Sequence, residues 1–278
     1  MTAIFLSLLA AGLYGVGDFW GGLASRRTNI LRILPTILFT GSLTIFALIP
    51  FLGASFTPDS IRAGVIAGVF GTAGFVLVYS ALAIGPMGVA SAIIAVLAAG
   101  IPYGLDLIRG THLSALGVIG SILAFVSILL VCRSTEEATH PVTRKLIVLS
   151  VIAGFAVAGF FLGLALAPQD SGLAPITVTR GIQLTMVVIF WATRRKKFTG
   201  DKPDHKMGVG SGIADALAAA AFIFATHSGS LAVVAIVTNL YPAITLLFAH
   251  FVIHEKLERH QIVGMIGACA SVGLLTLA

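Results

Sequence analysis

Charge is what this sequence has least of. Its 278 residues carry 17 Lys and Arg and 11 Asp and Glu, 10% in all, against 58% hydrophobic residues. Soluble domains run about 25% charged, so there is too little charge here to coat even one domain of this size. Cysteine is nearly missing too. Cys132 and Cys269 supply neither a disulfide framework nor a metal set, and they read as small buried residues. A coiled coil is excluded by the 31 Gly and 10 Pro, which break long polar-faced helices. Disorder is excluded because it requires low hydrophobicity. No Gly-rich loop ends in Lys-Ser or Lys-Thr, so ATP-driven pumping within this chain has no support. The net charge of +6 does not argue for nucleic acid, because the basic residues cluster between apolar stretches, as cytoplasmic membrane loops do. The main solvent of this chain is lipid.

What is present in quantity is apolar sequence of spanning length, about 20 residues per segment. Ten stretches qualify or nearly so: 4–24, 33–52, 63–84, 87–108, 113–131, 146–166, 174–193, 207–226, 231–253 and the short 261–277. A transmembrane barrel would instead show roughly ten-residue segments of alternating polarity. The expected fold class is therefore an all-α integral membrane protein with ten transmembrane helices. The first stretch lacks a basic n-region and is long enough to span, so it reads as mature structure. The longest connections, 132–145 and 194–206, leave no room for an extramembranous catalytic module. No enzyme, cofactor or metal is expected.

The chain resembles itself. Residues 11–21 align with 153–163 at an offset of 142, with Ala11, Gly12, Gly17, Phe19 and Gly21 repeated. Residues 117–121 align with 264–268 at an offset of 147. Order and near-constant offset give two repeats, 1–134 and 145–278, joined by 135–144. Each holds five spans, an odd number, so the second must enter the bilayer from the opposite side. Inverted repeats place a binding site near the midplane, where the halves meet, and exchanging the conformations of the halves gives alternating access.

The basic residues favour one face. Arg26, Arg27, Arg32, Arg133, Arg144, Lys145, Arg194, Arg195, Lys196, Lys197, Lys202, Lys206, Lys256 and Arg259 lie on it; Arg62 and Arg109 lie on the other. By the positive-inside rule the termini are outside.

Several motifs carry a family resemblance. Gly85-Pro86-Met87-Gly88-Val89-Ala90 opens the fourth stretch. Gly212-Ile213-Ala214-Asp215-Ala216-Leu217 is followed by Gly229-Ser230-Leu231-Ala232-Val233-Val234, by Leu240-Tyr241-Pro242-Ala243-Ile244-Thr245, and by His254-Glu255-Lys256-Leu257. Over essentially its whole length the chain resembles the EamA-like family of the drug/metabolite transporter superfamily. That resemblance implies ten helices in two inverted repeats, a central cavity, and export or exchange of small metabolites. The family's Gly-Glu-Arg-Leu turn stands here as His254-Glu255-Lys256-Leu257, and in the first repeat it degenerates to Arg109-Gly110-Thr111-His112. Family members have cytoplasmic termini, contrary to the charge count.

Charges inside spans cost about 2.5–3.5 kcal/mol each and mark function by default. Asp18, Arg180 and Asp215 lie well inside their stretches. Asp18 is eight residues before Arg26 and Asp215 nine after Lys206, so at 1.5 Å rise per residue both sit about 12–14 Å below the same face. Two carboxylates at one depth suit proton uptake or a cationic group. The structural alternative is that Arg180 neutralises one of them across the bundle. Tyr14, one turn before Asp18, is placed to donate a hydrogen bond to it. Thr177, Arg180 and Gln183 form a polar stripe, from which Arg180 could engage a substrate carboxylate. Pro242 frees the Thr238 carbonyl and kinks the ninth helix, making Asn239 and Tyr241 substrate-contact candidates and Pro242 a hinge, with Pro102 a weaker counterpart. The glycines at 12, 15, 17, 21 and 22, and the seam of Gly117, Gly120, Ser121 and Ala124, read as close helix packing.

His250 and His254 have the spacing of two zinc ligands, but the Glu follows the second His rather than the first, so a juxtamembrane turn is the better reading; His227 reads as an interfacial loop residue. The whole points to a secondary transporter of the inner (plasma) membrane, moving a small organic solute such as an amino acid, with proton coupling through Asp18 or Asp215. A membrane enzyme acting on a lipid-linked substrate is the rival, and it would want acids and histidines clustered at one interface. The sequence leaves substrate, direction of transport and oligomeric state open.

Overall fold

The computed structural model describes residues 1–25, 30–82, 84, 87–133, 142–193, 205–254 and 257–277. The basic clusters at 26–27 and 194–202, most of the 135–144 connection, and Glu255 and Lys256 of the last motif lie outside them. The described residues are helical, with one isolated bridge between Ala54 and Gly172. In chain order the helices are α1 (Thr2–Ser25), α2 (Ile30–Leu52), α3 (Pro58–Leu82), α4 (Met87–Ile108), α5 (Ala115–Cys132), α6 (Arg144–Ala165), α7 (Ala174–Thr193), α8 (His205–Ser228), α9 (Leu231–Thr238), α10 (Tyr241–Ile253) and α11 (Arg259–Leu277).

Among the described residues nine segments are long and apolar enough to cross a bilayer, with α9 and α10 together making one of them. The apolar part of α7, Ala174–Phe190, is shorter. Large apolar side chains such as Phe5, Phe46, Ile122, Phe155, Ile189 and Ile266 stand exposed on the outer faces. That is the surface a bilayer covers; in water it would be an aggregation hazard.

Helix pairing runs between the two halves of the chain. α1 packs on α8, and α6 packs on α3; α2 meets α8, and α7 meets α3; α5 pairs with α11. The reason is visible in small residues. Gly64 and Gly68 of α3 lie so close to α7 that a Cβ on them would sit 2.6 Å from Val178 Cβ and 2.7 Å from Ile182 Cβ. Later in the chain by 144 residues, Gly208 and Gly212 of α8 meet Ile33 and Ile37 of α2 in the same way. Gly120 of α5 packs on Leu274 of α11, while Gly267 of α11 packs on Ser127 of α5. In lipid there is no hydrophobic force between helices, so such close backbone approach is what holds them. Hydroxyls add ties between helices: Ser211 donates to the Gly17 carbonyl (2.8 Å), Thr179 to that of Gly64 (3.0 Å) and Thr245 to that of Gly15 (3.1 Å).

The ninth expected span is broken. α9 ends at Thr238 and α10 begins at Tyr241, with Asn239 and Leu240 at φ −75° and −77° and ψ 6° and 0°. The Leu240 amide donates to Val237 and that of Ala243 to Leu240, both i→i+3 bonds. Pro242, with no amide hydrogen to give Thr238, is the cause. α4 contains Pro102 and still runs unbroken from Met87 to Ile108.

Candidate functional site

The polar centre is built from α1, α7, α8 and the α9–α10 break. On α1, Ala3, Ser7, Ala10 and Tyr14 recur at helical spacing on one buried face. Asp18 is next on that face, one turn beyond Tyr14, and its side chain is accessible. Gly17 lies against Ser211, Ala214 and the Asp215 amide, which brings Asp18 beside Asp215, close enough for the two charges to act on each other.

Asp215 is paired. Arg180 Nη2 donates to Asp215 Oδ2 at 2.5 Å, and Arg180 Nη1 donates to Gln183 Oε1 at 3.0 Å. Arg180 is 2% exposed and the Asp215 side chain 16%. A buried guanidinium without its carboxylate would be costly, so the pair anchors α7 to α8. It also passes Gly41 of α2, where a Cβ would lie 3.7 Å from the guanidinium carbon. Gly71 of α3 clears space for the Gln183 amide, 2.6 Å from where its Cβ would stand. Sequence reasoning missed both glycines, because their role depends on a partner helix more than a hundred residues away.

Tyr14 lies among Asp215, Arg180, Asp18 and Tyr241. Its ring stacks edge-on against Phe161 (5.9 Å) and tilts against Tyr241 (6.4 Å). The expected hydrogen bond to Asp18 is not formed; the Tyr14 hydroxyl has no protein partner, and neither do Arg180 Nε, Gln183 Nε2, Thr238 Oγ1 or Asn239 Oδ1. Asn239 is fully buried and spends its amide on the Ala235 carbonyl at 2.8 Å. Thr177, expected on the stripe with Arg180 and Gln183, turns back to the carbonyl of Leu173, the residue before α7 (2.9 Å). Pro242 lines a small apolar hollow with Ser127, Ile128, Val131, Leu240, Ala243 and Ala268. Among the described residues no group of three or more His, Cys, Asp and Glu could hold a metal ion.

Apolar helices of spanning length around a buried ion pair and an accessible carboxylate define a multi-pass membrane protein with a polar interior, the architecture of a transporter. Residues 144–277 match the model of the EamA-like transporter family. Over this second half the chain is similar to that family, which is part of the drug/metabolite transporter superfamily. A solved structure titled only as a crystal structure of a protein superposes with a TM-score of 0.76 at 13% identity, covering 100% of this chain and 99% of that one. At that identity the likeness shows a shared fold. No curated protein matches the sequence.

Proposed function

We propose that the chain is a secondary transporter of the inner (plasma) membrane that exports or exchanges a small organic solute, such as an amino acid, by alternating access. The observation that carries this is Asp18, an accessible carboxylate on the buried face of α1, beside an Arg180–Asp215 pair that is already neutralised. With Asp215 engaged, Asp18 is the carboxylate free to take and release a proton or to meet a cationic group of the solute. Tyr14, beside Tyr241, and Asn239 and Gln183 complete the polar interior, and the unmatched Tyr14 hydroxyl, Asn239 Oδ1 and Gln183 Nε2 give a solute groups to bind. The Arg180 Nε is the part of that guanidinium left for a solute carboxylate.

The halves 1–134 and 145–278 act as inverted repeats in this reading. Support comes from the matching glycine seams of α3 on α7 and α8 on α2, and from the reciprocal packing of α5 and α11. The α9–α10 break beside Tyr241, with Pro242 as hinge, lets one half-helix move while the other stays packed.

The experiment is flux in proteoliposomes under an imposed pH gradient, across a panel of amino acids, nucleosides and organic cations. The wild-type chain accumulates at least one solute in response to the gradient, and Asp18→Asn does not. No gradient response from the wild type for any solute in the panel, or an undiminished one from Asp18→Asn, overturns the proposal.

A further inference from the structure

One end of the chamber is held closed by hydrogen bonds between helices. At one membrane face, which carries the α2–α3, α4–α5, α6–α7 and α8–α9 connections, the halves are bonded together. The Leu173 amide donates to the Gly53 carbonyl (2.9 Å) and the Ser55 amide to that of Ser171 (3.0 Å). The end of α8 reaches the α6–α7 connection through His227 and the Ala167 carbonyl (3.3 Å). Between them, near the end of α4, Asp106 Oδ2 accepts the Ala232 amide in the first turn of α9 at 2.8 Å, across 126 residues of chain. The cap of α9 itself is weak: Ser230 Oγ is 3.4 Å from the Val233 amide. A carboxylate at a helix N-terminus satisfies a donor that has no partner within its own helix, and it complements the helix dipole. α4 thus packs on α9, whereas α10, beyond the break, packs on α1. The accessible Asp18 lies toward that other end.

The position matching Asp106 in the second half holds a different residue. Asp106 is four residues before Gly110, at φ 97°, and His250 is four residues before His254, at φ 56°; these left-handed residues end α4 and α10. An imidazole offers a helix N-terminus no permanent negative charge, so the second half has no carboxylate at this position.

We propose that Asp106 is a positioning residue of the transport cycle, a latch that holds the chamber closed at its own face by accepting the Ala232 amide of α9. It rests on the alternating-access reading but concerns a part of the molecule remote from Asp18. Breaking the latch frees the first turn of α9 to swing from α4 and raises the population open at this face. Asp106→Glu keeps the carboxylate and restores closure, which a merely space-filling role would not require.

The test uses the full chain in proteoliposomes, with Cys132 and Cys269 replaced by Ala and spin labels on His112→Cys and Ser228→Cys, both at the Asp106 face. In the parent the distance distribution has one short population. Asp106→Ala adds a longer one, with about a tenfold rise in the open-to-closed ratio for the loss of a hydrogen bond to a charged group, and Asp106→Glu returns it toward the parent. An unchanged distribution in Asp106→Ala overturns the latch. So does equal lengthening in the Ala and Glu variants with the same fall in melting temperature, which marks general loosening. No solute is needed, so this measurement can fail while flux through Asp18 stands, and failed flux leaves it readable.

Discussion

The two halves of this chain share a packing plan and differ in chemistry. Gly64 and Gly68 seat α3 on Val178 and Ile182, as Gly208 and Gly212 seat α8 on Ile33 and Ile37. Three residues beyond Gly212 stands Asp215; three beyond Gly68 stands Gly71. Arg180 precedes Ile182 by two residues, and Pro35 precedes Ile37 by two. Asp18 aligns with Phe160. Close backbone packing has been kept twice while each ionisable group occurs once. Scaffold and site are therefore separable, and substitutions in the two classes have different signatures.

The largest effect belongs to the unique chemistry. Arg180→Gln leaves Asp215 without its partner and costs about 3–5 kcal/mol, as breaking a buried pair does. Adding Asp215→Asn removes the orphaned charge and recovers much of that loss. Thermal unfolding in detergent micelles, run as a double-mutant cycle, reads both; additive losses would show the pair contributes nothing as a pair.

The two glycine seams come next. Gly68→Ala places a methyl against Ile182, and Gly212→Ala places one against Thr40 and the Ile37 carbonyl. Each is expected to cost about 1–3 kcal/mol by overpacking, and the two losses should match. A severe loss at one site with none at the other, in the same unfolding assay, would break the equivalence of the seams.

The smallest effect is at the end of α10. His254 holds φ 56° where the first half has Gly110 at φ 97°, and a side chain there is strained. His254→Gly should raise stability by about 1 kcal/mol, measured as a higher unfolding midpoint. A lower midpoint would mean the imidazole makes a bond worth more than the strain.

Much of this was legible from residue order, because lipid leaves so few options. Apolar runs located the helices, since unpaired backbone is not tolerated in a bilayer. Counting from Arg26 and Lys206 put Asp18 and Asp215 at one depth, because helical rise is fixed. Pairing was harder to read. Arg180 had two carboxylates to choose from, and Gly41 and Gly71, which give it and Gln183 room, are distinguished only by what lies across from them. Pro102 and Pro242 both sit in apolar stretches, yet one lies in an unbroken helix and the other beside a break. Residue order did not single out Asp106, because its partner, the Ala232 amide, lies 126 residues further along the chain.

The central claim is that Asp18 faces a wet chamber rather than lipid. The direct measurement is Asp18→Cys in a chain with Cys132 and Cys269 replaced by Ala, labelled in sealed proteoliposomes of known orientation with a membrane-impermeant maleimide. The account predicts labelling from the face where α1 ends, little from the face closed by Asp106, and slowing by a transported solute. Reaction only with a lipid-soluble reagent, with no labelling by the impermeant one from either face, would contradict it.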